Sequence, residues 1–336
     1  MRRLALLLSV VAAPGLLGAQ YSITHTFAVG GNGSWDYVVP DPANHRLFIG
    51  RQNRVMVVDD RSGKLIGEVS EISGAHGTAI APKSGHGFAT SGNDSSIVMF
   101  DLKTFKTLGR VHAAEDADAI IYDAPSNRVF SFNGDAHSST VVDPVTGKVV
   151  TNIDLGGKPE YGVSAGDGKV YANLTDVSQV VEIDARKLTV TRRWSTAACQ
   201  QPVAMAIDTR NHRLFSGCRN GSAAVSDIKK GEVVATLPIG QGVDGAAFDP
   251  TARDAFFSGA DGTLTIIHED GPDKYHMLQT VQTAPGGRNM GLNPVTHRAY
   301  VVSAKYGPVP DSSASNPRRR PPVLPGSFQI MVVEKK

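Results

Sequence analysis

A repeat of 40 to 45 residues runs through most of the chain and constrains its fold more than any other feature. Each copy carries four short runs rich in Val, Ile and Phe, separated by Asn, Gly and charged residues, which is typical of strands joined by tight turns. The first run of each copy ends in Asp or a substitute, at steps of 40 to 44 residues, at Asp41, Ala81, Asp123, Ala165, Asp208, Asp249 and Asn293. Seven four-stranded copies predict an all-β, seven-bladed β-propeller, because each sheet can bury its faces only against neighbours like itself.

The two ends of the chain complete each other in this scheme. Residues 21–31 form an isolated strand ending in Gly-Gly, like the fourth strands of the third and fifth copies, and residues 328–334 form a third strand with nothing after it. The last blade is therefore expected to take strands from both termini, which closes the ring and removes an exposed sheet edge.

The N-terminal segment has the pattern of a signal peptide. Arg2 and Arg3 precede an apolar stretch at residues 4–17, and small residues follow it as far as Ala19. We expect residues 1–19 to be cleaved and residues 20–336 to form a single propeller domain, with an uncleaved anchor as the alternative. The apolar stretch is short for a membrane span and no second one follows. The mature protein is therefore predicted to be periplasmic or secreted, without a membrane span.

Composition narrows the possible partners. The chain has 34 basic and 32 acidic residues, so nothing indicates a general nucleic-acid or membrane-surface footprint. Its two cysteines, Cys199 and Cys218, precede the first strand and follow the second strand of blade five, and adjacent antiparallel strands bring those points to one edge. A disulfide is predicted in an oxidising compartment, with two buried thiols as the alternative.

The repeats resemble the YVTN-repeat family of bacterial β-propellers. The second strands RLFIG, KVYANL, RLFSG and RAYVVS take the place of that family's Leu-Tyr-Val-Thr-Asn run, and VVDPVTGKVVTNI and SDIKKGEVVATLPIG match its following Asp-turn-strand segment. The resemblance covers the whole mature chain and implies a seven-bladed propeller. It implies little about activity, because this fold hosts both binding scaffolds and enzymes.

One polar residue per blade lies where the chain enters the first strand, and in a propeller these entries open at the central channel. Successive entries are 40 to 45 residues apart. The predicted ligand-binding ring comprises Asp36, His76, Asp118, Glu160, Gln201, Asp244 and Asn289, with Arg288 beside the last.

The ring holds more acids than turn preference requires, and facing carboxylates are relieved by a cation, by raised pKa values or by water. One interpretation is a site for calcium or another divalent cation, held by Asp118, Glu160 and Asp244. Another is a small-molecule site with His76 and Glu160 as acid and base groups. A third is a set of turn residues around a water-filled channel.

An insertion at residues 305–327 separates the second and third strands of blade seven. It is rich in proline and contains Arg318, Arg319 and Arg320. Since it leaves from the face where the ring lies, we expect it to fold over or beside the channel mouth, where the arginines would meet the acidic ring or an acidic partner. The alternative is a solvated, disordered loop.

These features favour an exported, monomeric binding or interaction module whose partner, a small molecule or a protein, lies at the channel mouth. The alternative is a metal-dependent, calcium-type hydrolase of the lactonase kind with its site in the channel. An electron-transfer enzyme is disfavoured, because the chain has no haem-attachment motif and His76 is the one histidine of the predicted ring. Whether the protein is an enzyme stays open.

Overall fold

A computed structural model of the protein describes residues 20–312 and 321–336. Within these ranges the chain forms 28 strands and two single-turn 3₁₀ helices, at Pro42–Asn44 and Gly92–Asp94. The strands make seven antiparallel sheets of four. The predicted seven-bladed propeller is confirmed. Neither helix in the described ranges is long and apolar enough to cross a bilayer.

The first four blades follow one another along the chain, each with its strands in sequence order. Blade one contains β2 (Val38–Asp41), β3 (Arg46–Arg51), β4 (Arg54–Asp59) and β5 (Leu65–Val69). Blade two contains β6 (Ala75–Ala81), β7 (His86–Ser91), β8 (Ser96–Asp101) and β9 (Thr107–His112). Blade three contains β10 (Ala117–Asp123), β11 (Arg128–Asn133), β12 (Ser138–Val142) and β13 (Val149–Asp154). Blade four contains β14 (Pro159–Ser164), β15 (Lys169–Leu174), β16 (Gln179–Asp184) and β17 (Thr189–Ser195).

The last three blades include the one that joins the two ends of the chain. Blade five contains β18 (Pro202–Asp208), β19 (Arg213–Cys218), β20 (Ser222–Asp227) and β21 (Glu232–Pro238). Blade six contains β22 (Val243–Asp249), β23 (Asp254–Gly259), β24 (Thr263–Gly271) and β25 (Lys274–Gln282). Blade seven contains β26 (Asn289–Asn293), β27 (Arg298–Ser303), β28 (Gln329–Lys335) and, as its fourth strand, β1 (Tyr21–Ala28).

Ring closure occurs inside blade seven. The N-terminal strand β1 pairs antiparallel with β28, so that Tyr21 lies opposite Lys335 and Ala28 lies opposite Gln329. The pairing continues beyond the strands, where the N–H of Lys336 donates to the carbonyl of Gln20 at 2.9 Å. The expectation that strands from both termini complete the last blade is confirmed.

The hydrophobic core is divided among the interfaces between neighbouring blades. Seven buried clusters each join residues of two adjacent blades, as when Leu47 and Ile49 of blade one pack with Tyr300 and Ile330 of blade seven. The first strands of the blades contact one another in a closed ring around the central channel. Each blade therefore depends on both neighbours for its buried area, since the hydrophobic effect scales with the apolar surface removed from water.

A β-bulge lies near the start of the first strand in five blades. In four of them the bulge contains a residue of the predicted ring: His76, Asp118, Glu160 and Asp244. A bulge leaves a residue outside the ladder and re-aims its side chain. This irregularity lets a strand that is otherwise packed between blades present a polar side chain at the channel.

Candidate functional site at the channel mouth

His76 of blade two connects two acids from the neighbouring blades. Its Nδ1 lies 2.6 Å from Oδ2 of Asp36 in blade one and 3.3 Å from Oδ1 of Asp118 in blade three. Burial lowers the pKa of His76, but the hydrogen bond to Asp36 and the charges of Asp118 and Asp36 outweigh it and raise the pKa to about 9. His76 is therefore an imidazolium at neutral pH and neutralises part of the acidic ring.

Asn289 extends this network to blade six. It is almost fully buried, and its Nδ2 lies 3.3 Å from both Oδ1 of Asp36 and Oδ2 of Asp244. Arg288 adds an ion pair, with its Nε 3.0 Å from the same oxygen of Asp244. Oδ1 of Asn289 has no donor among the described residues. Polar side chains from blades six, seven, one, two and three thus form one continuous chain around the mouth.

Glu160 and Gln201 stand outside this chain. Glu160 is paired with Arg219, whose guanidinium lies 3.3 Å from Oε1, and Arg219 belongs to the turn between β19 and β20 of blade five. Gln201 is exposed and adopts a positive φ of 54°. Its backbone N–H donates to the Ser178 hydroxyl, and its side chain makes no hydrogen bond to another ring residue in the described ranges. In blade five the position near the ring is therefore taken by Arg219.

Two tyrosines cross the channel directly beneath the acids. Tyr37 follows Asp36 in blade one, and Tyr161 follows Glu160 in blade four, which lies across the channel. Their ring centroids are 5.2 Å apart, and the Tyr37 hydroxyl donates to the backbone carbonyl of Glu160 at 2.8 Å. We call this aromatic pair the floor of the polar mouth, because both tyrosines also line the cavity below, which no residue of the predicted ring lines.

The acids of the mouth hold their protons unusually tightly. Burial and the nearby charge of Asp36 raise the pKa of Asp118 well above its ordinary value, against the opposing effect of His76. Burial and the charge of Asp244 raise the pKa of Glu160 to about 7, and burial and Asp36 raise that of Asp244 to about 6. Clustered carboxylates repel one another, so these acids retain protons even though His76, Arg219 and Arg288 supply positive charge beside them.

Buried hydroxyls of the second strands hold the bulges in place. Thr90 of β7 accepts from the N–H of Gly77 at 2.9 Å and donates to the carbonyl of Asp118 in the next blade at 2.6 Å. Ser258 of β23 likewise donates to the carbonyl of Arg288. These contacts join one blade's bulge to the entry of the following blade and so fix the spacing of the ring residues.

The set of residues best placed for a metal differs from the predicted set. Within the described ranges, one group of potential ligands has its atoms within 4.8 Å of one another, and it comprises Asp36, His76 and Asp118. It shares only Asp118 with the predicted set of Asp118, Glu160 and Asp244. A metal here would have to displace the proton of His76 that bonds to Asp36, because a histidine ligand binds metal in its neutral form.

The base of the predicted loop at residues 305–327 lies beside the mouth. Tyr306 forms an isolated bridge with Val323 and packs against Trp35, with ring centroids 6.2 Å apart. A Cβ on Gly286, two residues before Arg288, would lie 2.1 Å from the Tyr306 hydroxyl, so the loop base touches this entry segment. Arg318, Arg319 and Arg320 lie outside the described residues, as does the predicted signal peptide at residues 1–19.

Sequence reasoning missed four residues that shape the site. Tyr37 and Tyr161 could have been identified from sequence, since each directly follows an acid of the predicted ring. Arg219 was harder to identify, because its only distinguishing feature is its place in the turn after the second strand of blade five, whose entry residue is uncharged. Nothing in the sequence distinguishes Arg51 from a surface arginine. It is fully buried beneath residues 30–34, the segment that leads to Asp36.

The two cysteines form a disulfide in the structure. Cys199 and Cys218 are both fully buried, and their Cα atoms lie 5.5 Å apart. The bond joins the entry of blade five to the end of its second strand, next to the turn that carries Arg219.

Comparison with known proteins gave one finding. A family model described as Domain of unknown function (DUF5074) matches residues 42–230, which is more than half of the 336-residue chain. No curated protein matches the chain.

Proposed function

We propose that this chain, which belongs to the DUF5074 family, is a non-catalytic binding module for a ligand that carries a positive charge. The proposal rests on the channel mouth, because the description of the family names no function. One observation carries this proposal. Four blades contribute carboxylates to the mouth, those of Asp36, Asp118, Glu160 and Asp244. Burial, and then the charges of these four groups, raise the pKa of Tyr37 well above its ordinary value.

The chemistry of the mouth supports an ammonium or guanidinium group as the bound moiety. Such groups donate several hydrogen bonds, and the mouth offers mainly acceptors. Binding a cation would ease the repulsion that holds the pKa of Asp118, Glu160 and Asp244 above their ordinary values. The aromatic floor formed by Tyr37 and Tyr161 adds a surface on which a cation is attracted to the ring faces.

Titration calorimetry at low salt with agmatine and with spermidine tests this proposal. We expect one-to-one binding of at least one of them, and a loss of about tenfold or more in the Asp118→Asn/Asp244→Asn double variant, since charge-assisted hydrogen bonds are removed. Glu232→Gln, on an exposed outer strand, is the matched control and should bind like the unaltered protein. Absence of binding by both ligands, or equal binding by the double variant, contradicts the proposal.

A metal-dependent hydrolase of the lactonase kind is the second candidate. The proximity of Asp36, His76 and Asp118 favours it. Elemental analysis of the purified protein and a thermal-shift titration with calcium distinguish the two candidates. A stoichiometric metal that is lost in His76→Ala would favour the hydrolase, whereas no bound metal and no thermal shift would remove it.

We further propose that the protein acts outside the cytosol as a monomer and that its repeats are related to the YVTN repeats. The signal-peptide pattern at residues 1–19 and the Cys199–Cys218 disulfide support export. Mass spectrometry of the mature protein tests the first point, and an N-terminus other than Gln20 would contradict the proposed cleavage site.

A further inference from the structure

A second compartment of the channel lies beneath the aromatic floor. It is a cavity of about 480 Å³, and none of the described residues that line it is Asp, Glu, Lys, Arg or His. We name it the lower chamber. The residue just before the end of each first strand contributes to its wall, and all seven of these residues are apolar or aromatic: Pro40, Ile80, Tyr122, Val163, Ile207, Phe248 and Leu292. The channel therefore changes from an acidic mouth to an uncharged wall in the lower chamber.

The hydroxyl groups of this wall are mostly engaged. Three of them donate within the protein: Tyr37 to the carbonyl of Glu160, Tyr122 to Asn127 and Ser164 to Asp123. The oxygen of Thr78 is covered by its neighbours. Within the described ranges, neither Thr78 nor Tyr161 has a hydrogen-bond partner for its hydroxyl. A bound molecule would thus meet few polar side chains.

The remaining polar surface of the lower chamber comes from the main chain. Every first strand is the edge strand of its sheet, and the first strands encircle the channel. An edge strand presents unpaired N–H and C=O groups. These groups are uncharged, and they face a space that is otherwise walled by aliphatic and aromatic side chains.

We propose that the lower chamber is a binding site for an uncharged, ring-containing small molecule, separate from the cation site at the mouth. The volume falls within the range of about 300–1,000 Å³ that is usual for small-molecule sites. Apolar rings would pack against Phe248, Tyr122 and the aromatic floor, and a few neutral polar groups would meet the main-chain edges. A charged molecule is disfavoured, because burying an ion without a partner is costly.

Two fluorescent probes that share a ring system test the chemistry of the chamber. N-phenyl-1-naphthylamine is uncharged, and 1-anilinonaphthalene-8-sulfonate is the same molecule with a sulfonate. We expect the neutral probe to bind the full mature chain with one-to-one stoichiometry and the sulfonate to bind about tenfold or more weakly. Equal or tighter binding of the sulfonate, or no saturable binding of the neutral probe, overturns the proposal.

Substitutions locate the bound probe. Ile207→Arg places a charge in the chamber wall, and we expect it to weaken binding of the neutral probe about tenfold or more. Val295→Arg is the matched control, because Val295 lies in the turn after β26 and is 73% exposed. It should bind the probe as the unaltered protein does. Equal binding by Ile207→Arg, or an equal loss in Val295→Arg, overturns the proposal.

A third variant guards against a simple folding defect. Ile207→Trp keeps the wall apolar while filling space, and it should also lose probe affinity while retaining cooperative thermal unfolding. The Asp118→Asn/Asp244→Asn variant should bind the neutral probe normally, since those acids lie above the aromatic floor. If that variant loses the probe, the two compartments are not separate and the proposal fails, whatever the outcome for cations at the mouth.

Discussion

Glu269 of β24 is a fully buried carboxyl group on a strand that takes no part in the channel. Burial and a hydrogen bond with Asp208 raise its pKa to about 7, against the opposing hydrogen bond from Asn211. Nδ2 of Asn211 donates to Oε2 at 3.0 Å, while Oε1 has no donor among the described residues. A proton on Glu269 satisfies both the carboxyl group and its acidic neighbour.

This proton makes stability depend on pH. The folded-state pKa of about 7 exceeds the ordinary value of 4.5, so the folded state binds the proton more tightly than the unfolded state does. The free energy of unfolding should therefore fall as pH rises from about 4.5 through about 7. Urea unfolding at several pH values measures it. Glu269→Gln, which cannot ionise, should flatten this part of the profile, and an unaltered profile in that variant would show that another group is responsible.

Gly50 illustrates how closely the backbones approach at the mouth. A Cβ at this position would lie 2.2 Å from the carbonyl oxygen of His76. We expect Gly50→Ala to lower the free energy of unfolding by about 1–3 kcal/mol, because overpacking forces the backbone to shift. Gly109→Ala is the control, since nothing lies within 4 Å of a Cβ there. Chemical denaturation of both variants provides the comparison, and equal stabilities would contradict the prediction.

At the scale of the elements, Arg51 fastens the segment between β1 and β2. Its guanidinium donates to the carbonyls of Ser34 and Asn32, both at 3.1 Å, and lies 3.8 Å from the ring centroid of Phe328. It therefore connects blade one to the segment that follows β1 and to the residue that precedes β28.

Replacing Arg51 by lysine should destabilise the fold, although the positive charge is retained. Lysine lacks the planar fork that bonds several carbonyls at once while stacking on an aromatic ring. We expect Arg51→Lys to lower the free energy of unfolding by about 2–3 kcal/mol, since it leaves buried carbonyls unpaired. Arg61→Lys, at a side chain that is 60% exposed, should leave the free energy of unfolding nearly unchanged. Guanidinium unfolding curves of the two variants decide the matter.

The disulfide, like Arg51, holds two elements together. Because Cys199 and Cys218 are 19 residues apart, the bond restricts a short loop of the unfolded chain. The Cys199→Ala/Cys218→Ala variant should lose about 2–4 kcal/mol of stability. A reducing agent should destabilise the unaltered protein and leave the variant unchanged. Equal melting temperatures of the variant and of the unaltered protein without reductant would contradict this expectation.

For the whole molecule, blade seven is the point on which ring closure depends. Removing residues 20–31 would leave β28 with an unpaired edge, which favours association with other chains. We expect this truncated protein to be aggregated or partly unfolded by size-exclusion chromatography and calorimetry. A synthetic peptide of residues 20–31 should restore monomeric, cooperative behaviour by strand addition, and a scrambled peptide should not. A monomeric truncated protein with native melting would contradict the prediction.

The architecture was predictable from sequence because it depends on a period. Asp41, Asp123 and Asp208 recur at the same place in the repeat, and a constant step in sequence becomes a constant rotation around the channel. The ring of entry residues follows from the same argument. The period does not predict which side chains of the ring contact one another. His76 bonds to both neighbours, whereas Gln201 is exposed and has a positive φ.

Contacts across the channel were beyond prediction for a related reason. Tyr37 and Tyr161 belong to blades that face each other, and their contact depends on the channel width, which is a property of the closed ring. The burial of Arg51 likewise depends on how the segment before blade one crosses the ring closure. The group best placed for a metal differs from the predicted one for the same reason. Asp36 and His76 are brought together by the packing of two blades and not by spacing within one repeat.

The pairing of β1 with β28 also sets the order of events when the protein is made. The strand synthesised near the beginning finds its partner only when the strand near the end has been released, so the ring stays open throughout synthesis. The native state can therefore form only after the whole chain has been translated. A chain that stops before β28 leaves β1 without its partner, and unpaired terminal segments are preferred sites of proteolysis.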